Sequence, residues 1–359
     1  MSYKKTLMWK EISETEKVFN EICAPNNETL DKLLKEVKDA KIKHIVTCGR
    51  GTSNHALIYF KYLVEVLAGI PVIQAYPSVV TIYNGKIDYS DTLIVGVSQS
   101  GKAQDVLEIL KHGKSSGAVT LGITNNKDSA IAKTASYHLF CNAGEEKSVA
   151  ATKTFSAQLY LLCALALKLA NDKKISKQLG SLSAKLKNDF SEIDKITEKL
   201  IPKYKNMTEG FALSRGITYS IALEASLKLQ ETAYVKMKGF AISDFYHGPM
   251  AMVSEGSNII VYASKIGFVS EDLEAEHFTD VKKCVEKMLA LKANVLVVTD
   301  DERYAELCSN SVMLPKLDNE ILTMFYFALF AQMFACKLSV AKGNNPDAPR
   351  SLSKVTITK

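Results

Sequence analysis

The sequence has few of the features that mark special classes of protein. No apolar run is expected to reach the roughly 20 residues that span a bilayer. The longest candidate, Leu159 to Leu167, is too short, and the polar N-terminus lacks the apolar segment of a signal peptide. Lys and Arg number 45 against 39 Asp and Glu, a small excess of +6 without a basic run interleaved with aromatic residues. We therefore expect neither membrane nor nucleic acid binding, and the mild positive charge suits an anionic small-molecule substrate.

Metal and cofactor motifs are also missing. The seven cysteines form no C-x-x-C pair and no cluster with histidine, so no metal site is expected. Most of them stand in apolar surroundings, which favours reduced core thiols in a cytoplasmic protein. The run Gly49-Arg50-Gly51 lacks the third glycine of a dinucleotide-binding loop, because Asn54 occupies that place. No cofactor is therefore predicted.

Apolar strand-like runs alternate with helical segments in both halves of the chain. The first half has five such runs, of which two are Val72 to Tyr76 and Tyr137 to Cys141, and the second half has three. The other three runs of the first half end at Cys48, Val97 and Thr124, and those of the second half end at Ser214, Ala263 and Thr299. Corresponding ends are separated by about 165 to 175 residues. The alternation predicts an α/β protein with parallel sheets covered by helices on both faces. The near-constant separation indicates a tandem duplication, with chance similarity of two α/β units as the alternative.

Length and composition suit two domains with sizeable cores, since 47% of the 359 residues are apolar. The predicted segments are an N-terminal helical segment (1–34), a first domain (35–170), a helical connector (171–205), a second domain (206–342) and a C-terminal tail (343–359). A long apolar helix, Glu320 to Val340, closes the second domain. The Asn-Asn pair and two prolines of the tail suit a fixed extended path.

Two loops of the first half have the composition of a phosphate site. Gly49-Arg50-Gly51-Thr52-Ser53-Asn54 and Ser98-Gln99-Ser100-Gly101 each follow a strand and precede a helix. Backbone amides, hydroxyls and the helix dipole at such a place suit a phosphate, and ligands bind beyond the carboxyl ends of the strands in open α/β sheets. Simple helix capping is the alternative. In the second half Lys265-Ile266 and Ile217 replace the equivalent residues, so one phosphate site is expected.

A largely apolar helix, Ile221 to Lys236, carries a charged stripe. Glu224, Lys228 and Glu231 lie at i, i+4 and i+7, and so share one helix face. We predict that the stripe faces a cavity, where a carboxylate and an ammonium suit proton transfer; a surface ion pair worth ~0.3 kcal/mol is the alternative. His247, in a Gly-Pro turn, is the best acid–base candidate among the six histidines, against a purely structural role.

The segment Ala143 to Phe155 is predicted to open the long helix that ends the first half. Its acidic residues Glu145 and Glu146 favour a helix N-terminus electrostatically. Thr152 and Lys153 could face a ligand, and a plain solvated helix start is the alternative.

Together these segments resemble the sugar isomerase (SIS) domain family, including the isomerase part of glucosamine-6-phosphate synthase and the stand-alone amino-sugar-phosphate deaminases. The matching motifs are Cys48 to His55, Ser98 to Gly101, Gly144 to Lys153, Glu224 to Glu231, His247-Gly248-Pro249 and the Pro346 to Lys354 tail. The resemblance covers essentially the whole chain. It implies two tandem flavodoxin-like SIS domains, a homodimer and binding of a hexose 6-phosphate or amino-sugar phosphate.

The resemblance also implies roles for individual residues. Phosphate would be held by Thr52, Ser53, Ser98, Gln99 and Ser100, and the surrounding substrate pocket would include Gly51, Ala103, Val149, Ala151 and Glu224. Glu231 matches the glutamate that moves a proton between C1 and C2, and Lys228 matches a lysine beside it. His247 matches the histidine of ring opening, offered by the neighbouring subunit. Lys354 matches the tail lysine at the sugar carbonyl.

Two departures favour a deaminase over a synthase. Ala103 and Ala151 stand where the synthases carry hydroxyl residues. No glutaminase domain precedes the isomerase part in this sequence, so glutamine-dependent synthesis by this chain alone is not expected. The expected reaction converts glucosamine 6-phosphate to fructose 6-phosphate and ammonia. The alternatives are an aldose–ketose isomerase or deglycase, the isomerase component of an aminotransferase with a separate glutaminase, and a non-catalytic sugar-phosphate sensor.

Overall fold

The computed structural model describes residues 2–354 and contains two five-stranded sheets. The strands are β1 (His44–Cys48), β2 (Val72–Gln74), β3 (Thr92–Val97), β4 (Val119–Thr124), β5 (Tyr137–Phe140), β6 (Glu209–Ser214), β7 (Lys236–Ala241), β8 (Asn258–Ala263), β9 (Asn294–Thr299) and β10 (Ser311–Met313). Every strand pair is parallel, in the orders β2-β1-β3-β4-β5 and β10-β9-β8-β6-β7. The predicted α/β fold with tandem parallel sheets is confirmed.

Helices provide the crossovers that parallel strands require. They are α1 (Leu7–Ser13), α2 (Thr15–Glu21), α3 (Asn27–Asp39), α4 (Thr52–Leu67), α5 (Ser78–Thr81), α6 (Gln104–Ser115), α7 (Ala130–Thr134), α8 (Lys153–Leu169), α9 (Lys173–Gly180), α10 (Leu182–Tyr204), α11 (Tyr219–Ala233), α12 (Ile242–Tyr246), α13 (Glu271–Ala290), α14 (Glu302–Ala305) and α15 (Glu320–Ala341). Short 3-10 turns lie at Tyr3–Lys5, Gly216–Thr218 and Pro249–Met252.

Two helix predictions are wrong in their bounds. The helix predicted over Ile221 to Lys236 ends at Ala233, because Tyr234 takes a left-handed conformation with φ of 54° and the chain then enters β7. The segment predicted to open α8 from Ala143 is a loop as far as Thr152. In both places the chain turns at a residue whose side chain gives no strong stop signal.

The chain forms two compact units. The first-sheet unit comprises Ser13–Lys147, Ala151–Ser183 and Ser353–Lys359, of which the last five residues lie outside the described residues. The second-sheet unit comprises Met1–Ile12, Ser148–Ala150 and Ala184–Leu352. These units divide the predicted N-terminal segment, connector and tail between them, so the boundaries proposed from sequence stay a prediction.

The first sheet aligns the ends of its central strands. Both β3 and β4 are buried along their whole length, as expected of strands covered on two faces. Strand β3 is apolar from Leu93 onwards, whereas β4 also buries Thr120 and Thr124. The register pairs Cys48 with Gly96 and Val97 with Ile123. The loops that leave the carboxyl ends of β1, β3 and β4 are therefore neighbours.

The second sheet repeats the first. Read from β7 to β10, its order β7-β6-β8-β9-β10 matches β2-β1-β3-β4-β5. Its core combines strand residues such as Leu213, Val261 and Val297 with Val281 and Met288 of α13. The shared strand order is what duplication of one domain would produce.

The expectation that Leu159 to Leu167 is the longest candidate for a membrane span is wrong. Among residues 2–354, α15 is the one helix whose length and hydropathy would allow it to cross a membrane, with a mean hydropathy of 1.6 over its most apolar window. The whole of that window is buried in the protein. The helix packs on α11, where the Ser339 hydroxyl donates to the Thr232 carbonyl at 2.7 Å. Its apolar character is that of a core helix in the second-sheet unit.

The cysteines are free thiols in the structure, and six of the seven are buried. Burial raises the pKa of Cys48 to about 12, with a further contribution from Asp105. Among residues 2–354 no group of three or more His, Cys, Asp or Glu side chains is arranged to hold a metal ion. The thiols therefore belong to the packing of the two cores.

Candidate active site

The loop after β1 presents side chains more than backbone amides. Gly51 has a positive φ of 49° and α4 begins at the next residue, Thr52. The amides of Ser53 and Asn54 donate to the carbonyls of Arg50 and Gly51, at 3.1 and 3.0 Å. Thr52 is half-buried and Ser53 is buried. Phosphate contacts predicted here would thus fall on the two hydroxyls and on amides earlier in the loop.

The loop after β3 has the geometry that favours an anion. The Gln99 and Ser100 amides donate no hydrogen bond to another part of the described chain. Gly101 turns the chain with φ of 66°, and its amide donates to the Ser98 carbonyl at 3.2 Å. Unpaired amides in a tight turn form a concave site for negative charge. This loop is the stronger of the two predicted phosphate loops.

A crevice of about 520 Å³ opens at the carboxyl end of the first sheet. Its lining consists of Gln99, Ser100, Lys102, Asn125, Asn126, Phe140, Gly144, Glu145 and Glu146. Two predicted phosphate residues, Gln99 and Ser100, therefore face it, whereas Thr52, Ser53 and Ser98 stand outside its lining. Ala103 also lies outside: it is the N-cap of α6, and its methyl group packs on the first-sheet core.

Arg50 and Asp105 join the two loops, a link that sequence reasoning missed. The Arg50 guanidinium forms an ion pair with Asp105 in the first turn of α6. The Asp105 side chain is only 2% exposed, so the carboxylate is compensated by an arginine that reaches across from the neighbouring loop. The pair fixes the start of α6 relative to the β1 loop. An acid in the first turn of a helix was the only available signal, and many helices share it.

Glu146 and Lys354 form a second ion pair of the first-sheet unit. The Lys354 ammonium lies 2.8 Å from Oε2 of Glu146, whose side chain is fully buried. Oε1 accepts from the amides of Thr152 and Thr154 at 2.9 and 3.1 Å, and Oε2 accepts from the Thr154 hydroxyl at 2.6 Å. Burial would raise the pKa of Glu146, but Lys354 and these donors outweigh it and lower the pKa. The acid that caps α8 thus also holds the tail lysine.

The charged stripe of α11 is brought together as predicted. The Lys228 ammonium lies 2.5 Å from Glu231 and 3.4 Å from Glu224. The side chains of Lys228 and Glu224 are fully buried, and that of Glu231 is 22% exposed. Burial excludes the alternative of a surface ion pair. One ammonium thus serves two carboxylates, and only Glu231 has access to the outside.

The C-terminal tail is anchored beside this helix. The Arg350 guanidinium stacks on the Tyr234 ring, with its carbon 4.1 Å from the ring centre, and the Arg350 amide donates to the Tyr234 hydroxyl at 2.9 Å. Asp347 accepts from the amides of Leu7 and Met8, each at 2.8 Å. The Val149 amide donates to the Asp347 carbonyl at 3.2 Å. The fixed path expected of the tail is therefore present between Asp347 and Arg350.

The surroundings of two other predicted residues, His247 and Ala151, do not indicate their roles. His247 follows α12 and is exposed, and no hydrogen bond or ion pair joins its imidazole to any residue in the range 2–354. Ala151 is half-buried in the loop before α8. The structure thus groups Glu224, Lys228 and Glu231, and it leaves His247 apart from them.

The second-sheet unit has its own crevice, of about 470 Å³, at the carboxyl ends of β8, β9 and β10. Its lining consists of Lys265, Asp300, Asp301, Glu302, Arg303, Met313, Leu314 and Lys316. Burial raises the pKa of Asp300, and Asp301 and Glu274 bind the Arg303 guanidinium. Three carboxylates and three cations thus line this crevice, and the single phosphate site expected in the first half stays a prediction.

A family model for the SIS domain matches two segments, residues 40–168 and 211–342. Each segment contains one of the two sheets. The chain belongs to the SIS domain family.

Curated SIS relatives are longer than this chain. Glutamine–fructose-6-phosphate aminotransferase (isomerizing) of Aquifex aeolicus is 33% identical over 99% of this chain and 58% of the relative. The enzyme of the same name from Pyrococcus horikoshii is 30% identical over 98% of this chain and 57% of its own length. The chain thus spans less than three-fifths of these relatives.

Solved SIS structures match nearly all of the chain. The C-terminal domain of glucosamine-fructose-6-phosphate aminotransferase from Francisella tularensis superposes with a TM-score of 0.81 at 25% identity, covering 96% of this chain and 98% of that domain. Glucosamine-6-phosphate deaminase from Thermotoga maritima gives a TM-score of 0.74 at 21% identity, covering 98% of this chain and all of that one. The second likeness shows the shared SIS fold alone.

Proposed function

We propose that this SIS chain is an amino-sugar-phosphate deaminase and isomerase, which converts glucosamine 6-phosphate and water to fructose 6-phosphate and ammonia. The observation that carries the proposal is the Lys228–Glu231 pair, held in a buried helix with Glu231 partly exposed. A carboxylate fixed by a dry ammonium is equipped to take and return a proton. A protein that merely senses sugar phosphates needs the phosphate loop but not this pair.

The first-sheet crevice supports binding of the phosphate group. The unpaired amides of Gln99 and Ser100 and the nearby Lys102 are donors suited to a dianionic phosphate. A bound phosphate also orients the reacting carbons of the sugar, and this orientation contributes to the rate.

The proposed steps balance. His247 assists ring opening, and Glu231 then removes the proton from C2 while the C1 oxygen takes up a proton, which gives an enolamine. Return of the C2 proton to C1, with loss of one proton from the nitrogen, yields the imine of fructose 6-phosphate, and water hydrolyses the imine to the ketone and ammonia. Lys354 provides positive charge at the sugar carbonyl. No metal or redox partner is needed for this sequence of steps.

Ala151 stands where the synthases carry a hydroxyl residue, and this difference favours the deaminase over the reaction of its relatives. A second candidate is the isomerase component of a glutamine–fructose-6-phosphate aminotransferase, because the curated relatives described above bear that name. The two candidates use the same proton transfer and differ in the source and fate of the nitrogen.

The deciding experiment incubates the purified chain with glucosamine 6-phosphate and measures ammonia and fructose 6-phosphate together. Galactosamine 6-phosphate and fructose 6-phosphate with ammonia are run in parallel. Equimolar products that disappear in the Glu231→Gln variant would support the deaminase. The matched control is Glu255→Gln, which makes the same acid-to-amide change in a mostly exposed ion pair of the second-sheet unit, and it should keep the parent activity.

Other outcomes select the alternatives. Glucose 6-phosphate formed from fructose 6-phosphate without ammonia exchange would indicate an aldose–ketose isomerase. Glucosamine 6-phosphate formed only when a glutaminase and glutamine are added would indicate the aminotransferase component. Sugar-phosphate binding without any turnover, unchanged by Glu231→Gln, would indicate a sensor.

A further inference from the structure

The carboxylate of Glu146 does more than cap a helix. Four donors of Thr152 and Thr154, at the start of α8, converge on its two oxygens, and its side chain is fully buried. A buried carboxylate is costly unless a cation compensates it. The cation in contact with Glu146 is Lys354, 2.8 Å away.

The other charged residues near Glu146 in the sequence form ion pairs of their own. Lys153, the first residue of α8, binds Glu14 at 2.7 Å, and Lys147 lies 3.3 Å from Glu145. Lys354 comes from the far end of the sequence, and its side chain is still 24% exposed. The tail lysine is therefore the charge partner that this buried acid selects.

Glu146 also lines the first-sheet crevice, together with Gln99 and Ser100. The ion pair thus holds the Lys354 ammonium 2.8 Å from a residue that lines the crevice proposed to take the phosphosugar.

We propose that Glu146 is a positioning residue, which holds the Lys354 ammonium at the wall of the first-sheet crevice so that it meets the sugar as a fixed cation. This inference rests on the proposed function for its effect on turnover. The arrangement of the pair itself can be tested without substrate.

The first experiment compares ammonia release by the full chain and its variants. Because misplacing a reacting group by about 1 Å can cost roughly 10²-fold in rate, Glu146→Gln should lower kcat by roughly 10- to 100-fold, with a smaller change in KM. Glu146→Asp, which keeps the charge, should restore part of the loss. Glu14→Gln is the matched control, since it removes an acid from an ion pair at the start of the same helix and should leave kcat unchanged.

A double variant separates positioning from general damage. Lys354→Met should lower kcat at least as far as Glu146→Gln, and Glu146→Gln combined with Lys354→Met should be no slower than Lys354→Met alone. If the two losses multiply instead, Glu146 does not act through Lys354 and the inference is overturned.

The second experiment needs no turnover. Trace acetylation with acetic anhydride, read by mass spectrometry, gives the reactivity of Lys354 relative to the exposed Lys147. Glu146→Gln should raise this ratio several-fold, and Glu14→Gln should not. An unchanged ratio in folded Glu146→Gln, or in Glu146→Asp if the first variant does not fold, would overturn the inference. A raised ratio in a chain that releases no ammonia would sustain the positioning role and reject the deaminase.

Discussion

The ammonium of Lys228 lies 2.5 Å from the Glu231 carboxylate and 3.4 Å from that of Glu224, with the lysine side chain fully buried. Three charges one turn apart on a helix would be unremarkable at a surface. In the interior they are costly one by one and stable only as a group. The second-sheet unit therefore retains this cluster at a cost to stability, which is the pattern expected of a reaction site.

Removing the cation should destabilise the protein strongly. Lys228→Met leaves Glu224 buried without its ammonium, and we expect a loss of about 3–5 kcal/mol in the free energy of unfolding. The double variant Glu224→Gln with Lys228→Met should recover part of that loss, because no unpaired charge remains at the fully buried position. Urea unfolding followed by circular dichroism measures both.

An exposed helix pair provides the control for this comparison. Lys32 and Glu28 form an i, i+4 pair on α3 with both side chains mostly exposed. Lys32→Met should leave the urea midpoint unchanged within error, since solvent already screens such pairs. Equal losses in Lys32→Met and Lys228→Met would show that burial of the α11 cluster has no energetic consequence.

The Glu146–Lys354 pair predicts a particular dependence of stability on pH. The folded pKa of Glu146 is lowered, so its contribution is present above the ordinary carboxyl value of 4.5 and is lost as the pH falls through the lower, folded pKa. Lys354→Met removes the main cause of that lowering. We expect the variant to be less stable than the parent by about 1–3 kcal/mol at pH 7, with the difference shrinking below pH 4.5.

The measurement is urea unfolding of parent and variant at pH 7, 5 and 4. Lys342→Met serves as control, because Lys342 donates only to backbone carbonyls, and its effect should not vary with pH in this range. A difference between parent and Lys354→Met that stays constant from pH 7 to pH 4 would contradict the prediction.

Sequence patterns predicted what depends on local spacing. The central strand β3 is predictable because a strand buried on both faces is almost continuously apolar. The α11 stripe was visible because i, i+4 and i+7 positions share a helix face in any surroundings. In both cases the tertiary contacts of the folded protein agree with the local sequence pattern.

Other features depend on partners far away in the sequence. Asp347 caps α1 from 340 residues downstream, and two helices and two strands separate Arg50 from its partner Asp105 in the sequence. The start of α8 was misplaced because Glu146 folds back on the helix from the loop instead of belonging to its first turn. The helix dipole correctly favours an acid near the N-terminus of α8, but it does not predict the path of the loop that carries Glu146.

The phosphate loop provides a test of backbone geometry. Gly101 has φ of 66°, and a Cβ atom there would lie 2.1 Å from the Ser129 hydroxyl oxygen. Ser129 caps α7, where its side chain accepts a hydrogen bond from the Ala132 amide. It therefore cannot move away from Gly101 without losing this hydrogen bond. Gly101→Ala should lower stability by about 1–3 kcal/mol and weaken binding of glucosamine 6-phosphate, measured by calorimetric titration.

Gly69→Ala is the control that distinguishes backbone strain from the steric clash expected at Gly101. Gly69 has nearly the same φ, 65°, but nothing lies within 4 Å of a Cβ atom built on it. Gly69→Ala should therefore show only the left-handed backbone cost of about 1–2 kcal/mol, with unchanged ligand affinity. If both alanine variants bind equally well, the turn at Gly101 is not part of the phosphate site.

The exposed position of His247 predicts complementation between inactive chains. If a homodimer supplies His247 to the neighbouring subunit's site, mixing Glu231→Gln with His247→Ala restores one complete site in each mixed dimer. Random association should then return about a quarter of the parent activity. A mixture of Glu231→Gln with Lys228→Met should return none, since both residues belong to the same helix. Absence of recovery in the first mixture would place His247 in the site of its own chain or outside it.

Tail anchoring predicts an effect on both stability and proteolysis. Asp347 accepts from the amides of Leu7 and Met8 at the start of α1, so Asp347→Ala leaves both donors without their acceptor. We expect a loss of about 1–2 kcal/mol, and a smaller loss for Asp347→Asn, which retains one acceptor oxygen. Because the same residue fixes the backbone that leads to Arg350, trypsin should cleave the tail there faster in Asp347→Ala than in the parent.

A variant that removes the stacking partner of Arg350 distinguishes anchoring of the tail from capping of α1. The Arg350 guanidinium stacks on Tyr234, so Tyr234→Leu should release the tail while leaving the Asp347 cap intact. This variant should lower turnover with little change in the urea midpoint, whereas Asp347→Ala should lower both. Equal turnover in the parent and Tyr234→Leu would mean that the cap alone fixes the tail, and the stack would then have no part in presenting Lys354.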